Sequence, residues 1–560
     1  MQKLELTWIG KGQELAVEPR ILLHDASKDY GDTAADNMII HGDNLLALKA
    51  LEQEFAGQVK CIYIDPPYNI NVANPHYNDN APHSDYIALM KRRIEILHTL
   101  LHEQGSLWIS INSDELFYLK IVCDEVFGEK NFVTVVTLKT ATTASYRAIN
   151  VCPVNVSEFI LVYSKDVQKA QFSPVYIPVE YSEDYGSYIE NIDESFEKWT
   201  LKKLDNLIYE EANVSNWREF RDMYGDTWKD IRYSMKREKA LAMADRVVSL
   251  NTLQKPANEV ARLIEQSKIE REQFFIHERV GKEPIVIYNG RTLAFYSAKL
   301  KNISGVSTPA DILTNIWADI SYLSLGLEGG IKFPNSKKPE RLIERICQIA
   351  TNPGDIILDS FLGSGTTAAV AHKMGRRYIG IELGEHCYTH CLPRLQAVVD
   401  GEQGGISKAQ NWQGGGGFKF YELAPTLIVN DKHGQPVFNE QYAPQMLVAA
   451  AAKLNGFLYK PDAEVFWKQG KSQDNSYIYV TTQYLTAAEL DDIACDLSDY
   501  ERLLICAPAF DVGLGKRYDN IDMRKIPQSV LSKCEYGVDN YNLNIVNPPE
   551  LDEEEWNDVE

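Results

Sequence analysis

The 560-residue chain carries 57 Lys and Arg against 79 Asp and Glu, a formal charge of −22 with a pI near 5.1. Apolar residues make up 44% and charged residues 24%, which excludes a disordered, collagen-like or coiled-coil chain as a whole. The acidic excess argues against a protein that coats nucleic acid or anionic membrane over its whole surface, while allowing a local basic groove.

The length suggests roughly three or four domains. Nine Cys without dense spacing read as reduced thiols. The first residues show no apolar leader, and no run of about 18 apolar residues occurs, so a cytoplasmic protein without a membrane span is expected.

In chain order, residues 1–36 read as an N-terminal arm. Met38-Ile39-Ile40 predicts a strand that ends in His41-Gly42-Asp43-Asn44, and apolar spacing predicts a helix over 45–55. Cys61-Ile62-Tyr63-Ile64 predicts a second strand, cut off at Asp65-Pro66-Pro67-Tyr68 because two prolines cannot continue a central strand. A helix over 86–101, a break at Gly105 and a third strand over 107–112 follow. This β-α-β-α-β order predicts a parallel sheet covered by helices. Strands over 132–138 and 158–163, with no long helix between them, predict a hairpin at the sheet edge.

Residues 166–310 break the rhythm. Trp199, Trp217, Trp228, Tyr224 and Tyr233 are interleaved with Lys and Arg, and residues 229–301 hold 15 Lys and Arg against 9 Asp and Glu. Such a stretch faces nucleic acid or is a mixed helical surface with solvated charges. Alternation resumes with a helix over 339–350, a strand over 355–359, a glycine turn over 361–367, a helix over 368–374 and a strand over 377–382. Residues 401–417 read as a Gly-rich linker, 418–545 as a separate α/β domain, and 546–560 as an acidic tail.

Two stretches carry chemistry. Asp359-Ser360-Phe361-Leu362-Gly363-Ser364-Gly365-Thr366-Thr367 joins a strand to a helix, and its glycines let backbone approach a ligand. It lacks the Lys of a nucleotide-phosphate loop and the third glycine of a dinucleotide site. Glu382 ends the next strand, where a carboxylate can accept hydrogen bonds from both ribose hydroxyls of an adenosine moiety. In Asp65-Pro66-Pro67-Tyr68, the Asp65 carboxylate and the Pro66 carbonyl can each accept a proton of an exocyclic amine. Pro67 stiffens that backbone, and Tyr68 offers a stacking face.

Together these stretches resemble the catalytic and cofactor motifs of S-adenosylmethionine-dependent amino-methyltransferases acting on DNA. The catalytic motif comes first, an order that resembles the circularly permuted β group, and most of all the modification subunits of type III restriction–modification systems. The resemblance covers roughly 37–165 and 310–420. It implies a Rossmann-like α/β fold with a seven-stranded, mostly parallel sheet, an inserted target-recognition domain at 166–310, a cofactor-binding half at 311–400 and a catalytic half at 37–165. It implies that Asp359, Phe361, Gly363, Ser364, Gly365 and Thr366 line the S-adenosylmethionine site. Glu382 would hold the ribose, Asp43 would meet the adenine edge, and Phe333 and Lys338 would close over the cofactor. It further implies double-stranded DNA with a flipped-out base, a homodimer and a restriction subunit as partner.

Asp at position 65 favours adenine N6 as the target. Cytosine N4 or RNA on the same fold, and a methylase-like recognition subunit without catalysis, are the competing readings. His386-Cys387-Tyr388-Thr389-His390-Cys391 resembles a metal cluster, but four ligands on one helix fit a zinc tetrahedron poorly, so helix packing and no metal are expected. Asn547-Pro548-Pro549-Glu550 echoes the catalytic motif without its aromatic and reads as a tail turn.

Overall fold

The computed structural model describes residues 5–8, 11–12, 17–18, 20–69, 82–141, 154–303, 305–322, 325–331, 333, 337–430, 436–439, 441–442, 444–472, 474–481, 483–498 and 500–526. The chain divides into two units, Met1–Ser173 with Thr314–Glu560, and Pro174–Leu313.

Eleven strands of the first unit form one sheet: β1 (Leu22–His24), β2 (Tyr30–Gly31), β3 (Met38–His41), β4 (Val59–Ile64), β5 (Leu101–Ile111), β6 (Phe132–Lys139), β7 (Ser157–Ser164), β8 (Ile316–Trp317), β9 (Ile356–Asp359), β10 (Arg377–Glu382) and β11 (Gly417–Leu423). Their order is β1-β11-β3-β10-β9-β4-β5-β7-β6-β8, with β2 also on β11. Strands β11, β3, β10, β9, β4 and β5 run parallel, whereas β7 is antiparallel to both β5 and β6. Every residue of β4 is buried, as a central parallel strand requires. Helices α1 (Asn44–Phe55), α2 (His83–Leu100) and α3 (Leu116–Phe127) share an apolar core with this sheet, including Leu48, Met90, Leu119, Ile64 and Leu358. Helices α4 (Glu340–Ala350), α5 (Thr366–Lys373) and α6 (Leu392–Val399) follow later in the chain.

The sheet differs from the expected seven strands. The seven that were expected occupy consecutive places from β3 to β6, and β1, β2, β11 and β8 extend the sheet beyond them. Part of the expected N-terminal arm is therefore sheet: β1 and β2 pair with β11 and cover an edge that would otherwise present unpaired backbone groups. The boundary expected at 418 also moves, because Phe418 and Phe420 are buried in β11 beside β3. The expected linker is a packed loop. Ile406 N–H donates to Glu340 at 3.0 Å, Trp412 Nε1 to the Val398 carbonyl at 2.7 Å, and Ile406 and Ser407 are buried.

Strand β5 begins at Leu101, well before the expected 107. Gly105 does not break it, because a side chain there would meet the Lys60 carbonyl at 2.9 Å, so glycine lets the two strands approach. The tail at 546–560, with Asn547-Pro548-Pro549-Glu550, lies outside the described residues.

Later in the first unit, Leu458–Tyr459, Gly470–Lys471, Ser476–Val480, Arg502–Ala507 and Ile521–Lys525 form a five-stranded sheet in that order, accompanied by helices Pro444–Leu454 and Ala487–Asp496. Ile21 joins the apolar cluster of Leu427, Ala451 and Ile478 there.

The second unit has a six-stranded sheet, among it Ser187–Ile189, Val247–Asn251, Lys282–Tyr288 and Arg291–Phe295, and a three-stranded sheet of Leu300–Ile303, Val306–Ile312 and Tyr176–Pro178. Trp217, on helix Trp217–Tyr224, stays 46% exposed with Arg218 and Arg221 over its ring. Among the described residues no helix is long and apolar enough to cross a membrane.

Candidate active site

The two sequence motifs become neighbours through strand order. β9 and β4 are adjacent and parallel, with Ile357 opposite Cys61 and Leu358 opposite Ile62. Their carboxyl ends therefore release Asp359 and Asp65 side by side. From β9 the sheet continues to β10 on one side and to β4 on the other, the kind of switch point where open α/β sheets hold ligands.

A cavity of about 520 Å³ opens there. Its lining includes Asp65, Pro66, Pro67 and Tyr68 from the first motif, and Asp359, Phe361, Gly363, Ser364 and Thr366 from the second, with Phe333 and Lys338 from the segment before α4. Three expected residues do not line it. Gly365 caps α5 at φ +80°, a conformation that glycine adopts at little cost. Asp43 caps α1, accepting the Leu46 N–H at 3.0 Å, and its Oδ2 lies 3.7 Å from Arg93. Arg93 bonds Asn44 at 2.6 Å, and Asn44 bonds the Ser360 carbonyl at 2.7 Å, so this chain of contacts steadies the glycine turn from behind. Glu382 accepts the Gly363 N–H at 2.7 Å and the Gly384 N–H at 3.0 Å, and pairs with His386 at 2.9 Å.

Lys338 stands beside the first motif. Its Nζ lies 3.3 Å from Asp65 Oδ1 and 2.8 Å from Glu158 Oε2, and it also donates to the Tyr68 hydroxyl. The ammonium sits 4.8 Å from the Tyr68 ring centroid, and Tyr68 O–H donates to Glu158 at 2.9 Å.

Burial pushes the Asp65 carboxyl up to about 6, even though Lys338 pulls it down. Burial also works against an ionised Glu158, but Lys338 and the Tyr68 hydroxyl outweigh it and leave that carboxyl below its usual range. Lys338 is held well above the usual lysine value: burial opposes its charge, and Asp65, Tyr68 and Glu158 overcome that. Asp359 accepts from Thr367 Oγ1 at 2.5 Å and from the Phe361 N–H at 2.9 Å, yet burial still lifts it to about 7.

Residues 59–273 and 295–391, more than half of the chain, match the protein family described as DNA methylase. The chain belongs to the DNA methylase family. The probable type III restriction–modification enzyme HindVI Mod subunit of Haemophilus influenzae is 36% identical to it over 420 residues, 70% of this chain and 54% of that protein. The type III restriction–modification enzyme EcoP15I Mod subunit of Escherichia coli is 24% identical over 514 residues, 79% of this chain and 74% of that protein. The chain thus spans about half the length of the first of these relatives. Among solved structures, the cytosine-N4-specific PvuII DNA methyltransferase aligns with 71% of this chain and 95% of its own at 12% identity, with a low TM-score of 0.31.

Sequence reasoning passed over two parts of this candidate site. Glu158 is the second residue of β7, where a single acid beside an apolar run carries no pattern of its own. Arg394 on α6 is fully buried; its Nη1 donates to Thr366 Oγ1 at 2.7 Å and to the Ser364 carbonyl at 3.3 Å, and its Nη2 to Glu340 at 2.8 Å. Glu340 in turn pairs with buried Lys373 at 2.7 Å. A charge that cannot reach water must be paired, so this cluster holds the glycine turn from below.

The metal-like run has partners of its own. Cys387 and Cys391 are buried, Cys391 Sγ donates to the Gly363 carbonyl at 2.9 Å, and His390 packs edge-on against Phe333 at 5.2 Å.

Proposed function

We propose that this chain transfers a methyl group from S-adenosylmethionine to the N6 amine of an adenine flipped out of double-stranded DNA, as the modification subunit of a restriction–modification system. One observation carries the reading: a carboxylate followed by Pro-Pro-Tyr and a glycine turn, nearly 300 residues apart in sequence, line one cavity at the switch point of a mostly parallel sheet. Family membership and the two Mod-subunit relatives support it.

The donor set fits the cofactor. The glycine turn brings backbone and the start of α5 to the cavity, and acids stand at the ends of β9 and β10. When bound there, S-adenosylmethionine supplies an electrophilic methyl group on a sulfonium. Phe361, Gly363, Ser364 and Thr366 would hold it, with Asp359 near its methionine end and Phe333 as an apolar wall. Glu382 would accept ribose hydroxyls in exchange for the Gly363 N–H that it accepts here.

The amine's lone pair delocalises into the base. Accepting its two protons at Asp65 and at the Pro66 carbonyl localises that pair on nitrogen. The C–N bond forms as the S–C bond breaks, the released electron pair stays on sulfur, and the nitrogen loses one proton afterwards. The basic stretch 229–301 would offset the few kcal/mol needed to flip the base.

The β9-β10 and β3-to-β7 strands carry the permuted order of the family's β group in this reading. Asp at position 65 favours adenine over cytosine N4. Incubation with labelled S-adenosylmethionine and mixed-sequence DNA, followed by nucleoside analysis, tests the assignment. N6-methyladenine is expected. N4-methylcytosine would transfer the assignment to the cytosine enzymes, and DNA binding without any transfer would make the chain a recognition module.

A further inference from the structure

The catalytic carboxylate of the reading above is one member of a charged trio drawn from three separate segments. Asp65 follows β4, Glu158 lies near the start of β7, and Lys338 precedes α4. All three line the same cavity, and Lys338 Nζ bridges the two acids at 3.3 and 2.8 Å.

We propose that Lys338 and Glu158 are positioning residues for methyl transfer, forming with Asp65 a cluster of net charge −1 that balances the single positive charge arriving on the target nitrogen. This rests on the reading that the target amine meets Asp65. It gives Lys338 a part in orienting the acceptor carboxylate, apart from any contact with the cofactor.

The geometry gives each member a task. Lys338 lies 3.3 Å from Oδ1 of Asp65, an ion-pair contact on that side of the carboxylate that leaves the other oxygen to accept the amine proton. An ammonium in that place, taken alone, would repel a nitrogen that is becoming cationic. Glu158 cancels it, and the same carboxylate accepts the Tyr68 hydroxyl, so the aromatic ring and the charge balance are set by one side chain. Methyl transfer moves one positive charge from sulfur to nitrogen, and the trio offers one negative charge to receive it. The other groups that influence Asp65 and its partners are the hydroxyls of Tyr63, Tyr68 and Tyr322, all pushed upward and neutral, and Asp359, engaged by Thr367 and the Phe361 N–H.

Charge arithmetic then predicts an ordering that simple loss of contacts does not. Removing Lys338 leaves two carboxylates crowded together, and like charges so close cannot both stay ionised, so Asp65 takes up a proton. Removing Glu158 leaves Asp65 neutralised by Lys338. Removing both restores −1. Four full-length proteins are compared: the unaltered chain, Lys338→Met, Glu158→Gln and the double variant. Single-turnover methyl transfer to DNA is measured at saturating S-adenosylmethionine, at pH 7.5, with cofactor binding by calorimetry and thermal melts as checks of folding.

Each single variant is expected to be about tenfold slower or worse, and the double faster than both. The acid limb of the rate profile should move to higher pH in Lys338→Met and return in the double variant. A double no faster than the better single would overturn the proposal. If Lys338→Met fails to fold or to bind cofactor, Lys338→Gln takes its place and the same ordering is required. An unaltered chain that binds cofactor but methylates no DNA would sink the functional reading and this inference with it, whereas an active chain with a non-rescued double sinks the inference alone.

Discussion

Asp65 can accept an amine proton only when ionised, and burial holds its carboxyl at about 6. Methyl transfer should therefore fall as the pH drops through about 6, and a plot of single-turnover rate against pH checks this. Asp65→Asn should lose a hundredfold or more, about the effect of removing one preorganised polar partner from a reaction centre, while cofactor affinity measured by calorimetry changes little. Asp359 makes a different prediction. Its folded carboxyl stands at about 7, above its ordinary 3.8, so the folded state favours its proton and pays a penalty that grows as pH rises from the ordinary value towards 7. In the cofactor-free protein, Asp359→Asn should raise Tm by a few degrees at pH 8 and by less at pH 5. The residues behind these predictions differ in how far they could be read from sequence. Asp65 announced itself because Pro-Pro after an apolar run forces a strand to stop with a carboxylate at its mouth. Glu158 did not, because its meaning comes from Lys338, 180 positions away.

Between turn and helix, the buried pair of Arg394 and Glu340 decides how firmly the glycine loop is held. Arg394→Met would take one of two cationic partners from Glu340, leaving it Lys373 and the Ile406 N–H, and would free Ser364 and Thr366 from their common donor. Loss of one member of a buried pair costs about 3–5 kcal/mol. Urea unfolding should show a loss of that order, and titration should show cofactor binding weakened more than tenfold. Helix and strand alternation around this loop was visible because apolar spacing switches between the two periods at 339–382, and β10 has the expected bounds. The start of β5 was hidden by Gly105, whose role is a close approach to Lys60 rather than a break. β11 was hidden because a run of glycines usually marks slack chain, while here it turns tightly into a buried strand.

At the scale of the molecule, the second unit, Pro174–Leu313, begins and ends at one place in its own fold. Tyr176–Pro178 pairs antiparallel with Val306–Ile312, and Leu313 N–H donates to the Val175 carbonyl at 2.8 Å, so both ends of the unit meet. Replacing 174–313 by a short Gly-Ser connection should leave a protein that melts cooperatively and binds S-adenosylmethionine but no longer methylates DNA. Loss of cofactor binding would show that the first unit does not stand by itself. The change of rhythm at 166 located this unit in the sequence, whereas its sheets did not declare themselves, because short antiparallel strands joined by mixed helices give no long periodic run.

The interleaving of the central sheet also bears on how the chain is made. β3 and β4 are close in sequence, yet β10 and β9 lie between them in the finished sheet, and Ile356 comes almost 300 positions after Ile64. At about 5–20 residues per second, a ribosome needs on the order of 15–60 s to deliver the missing strands. Until then the nascent polypeptide holds two apolar edges whose partners have not been made, and those edges are open to pairing with neighbouring copies.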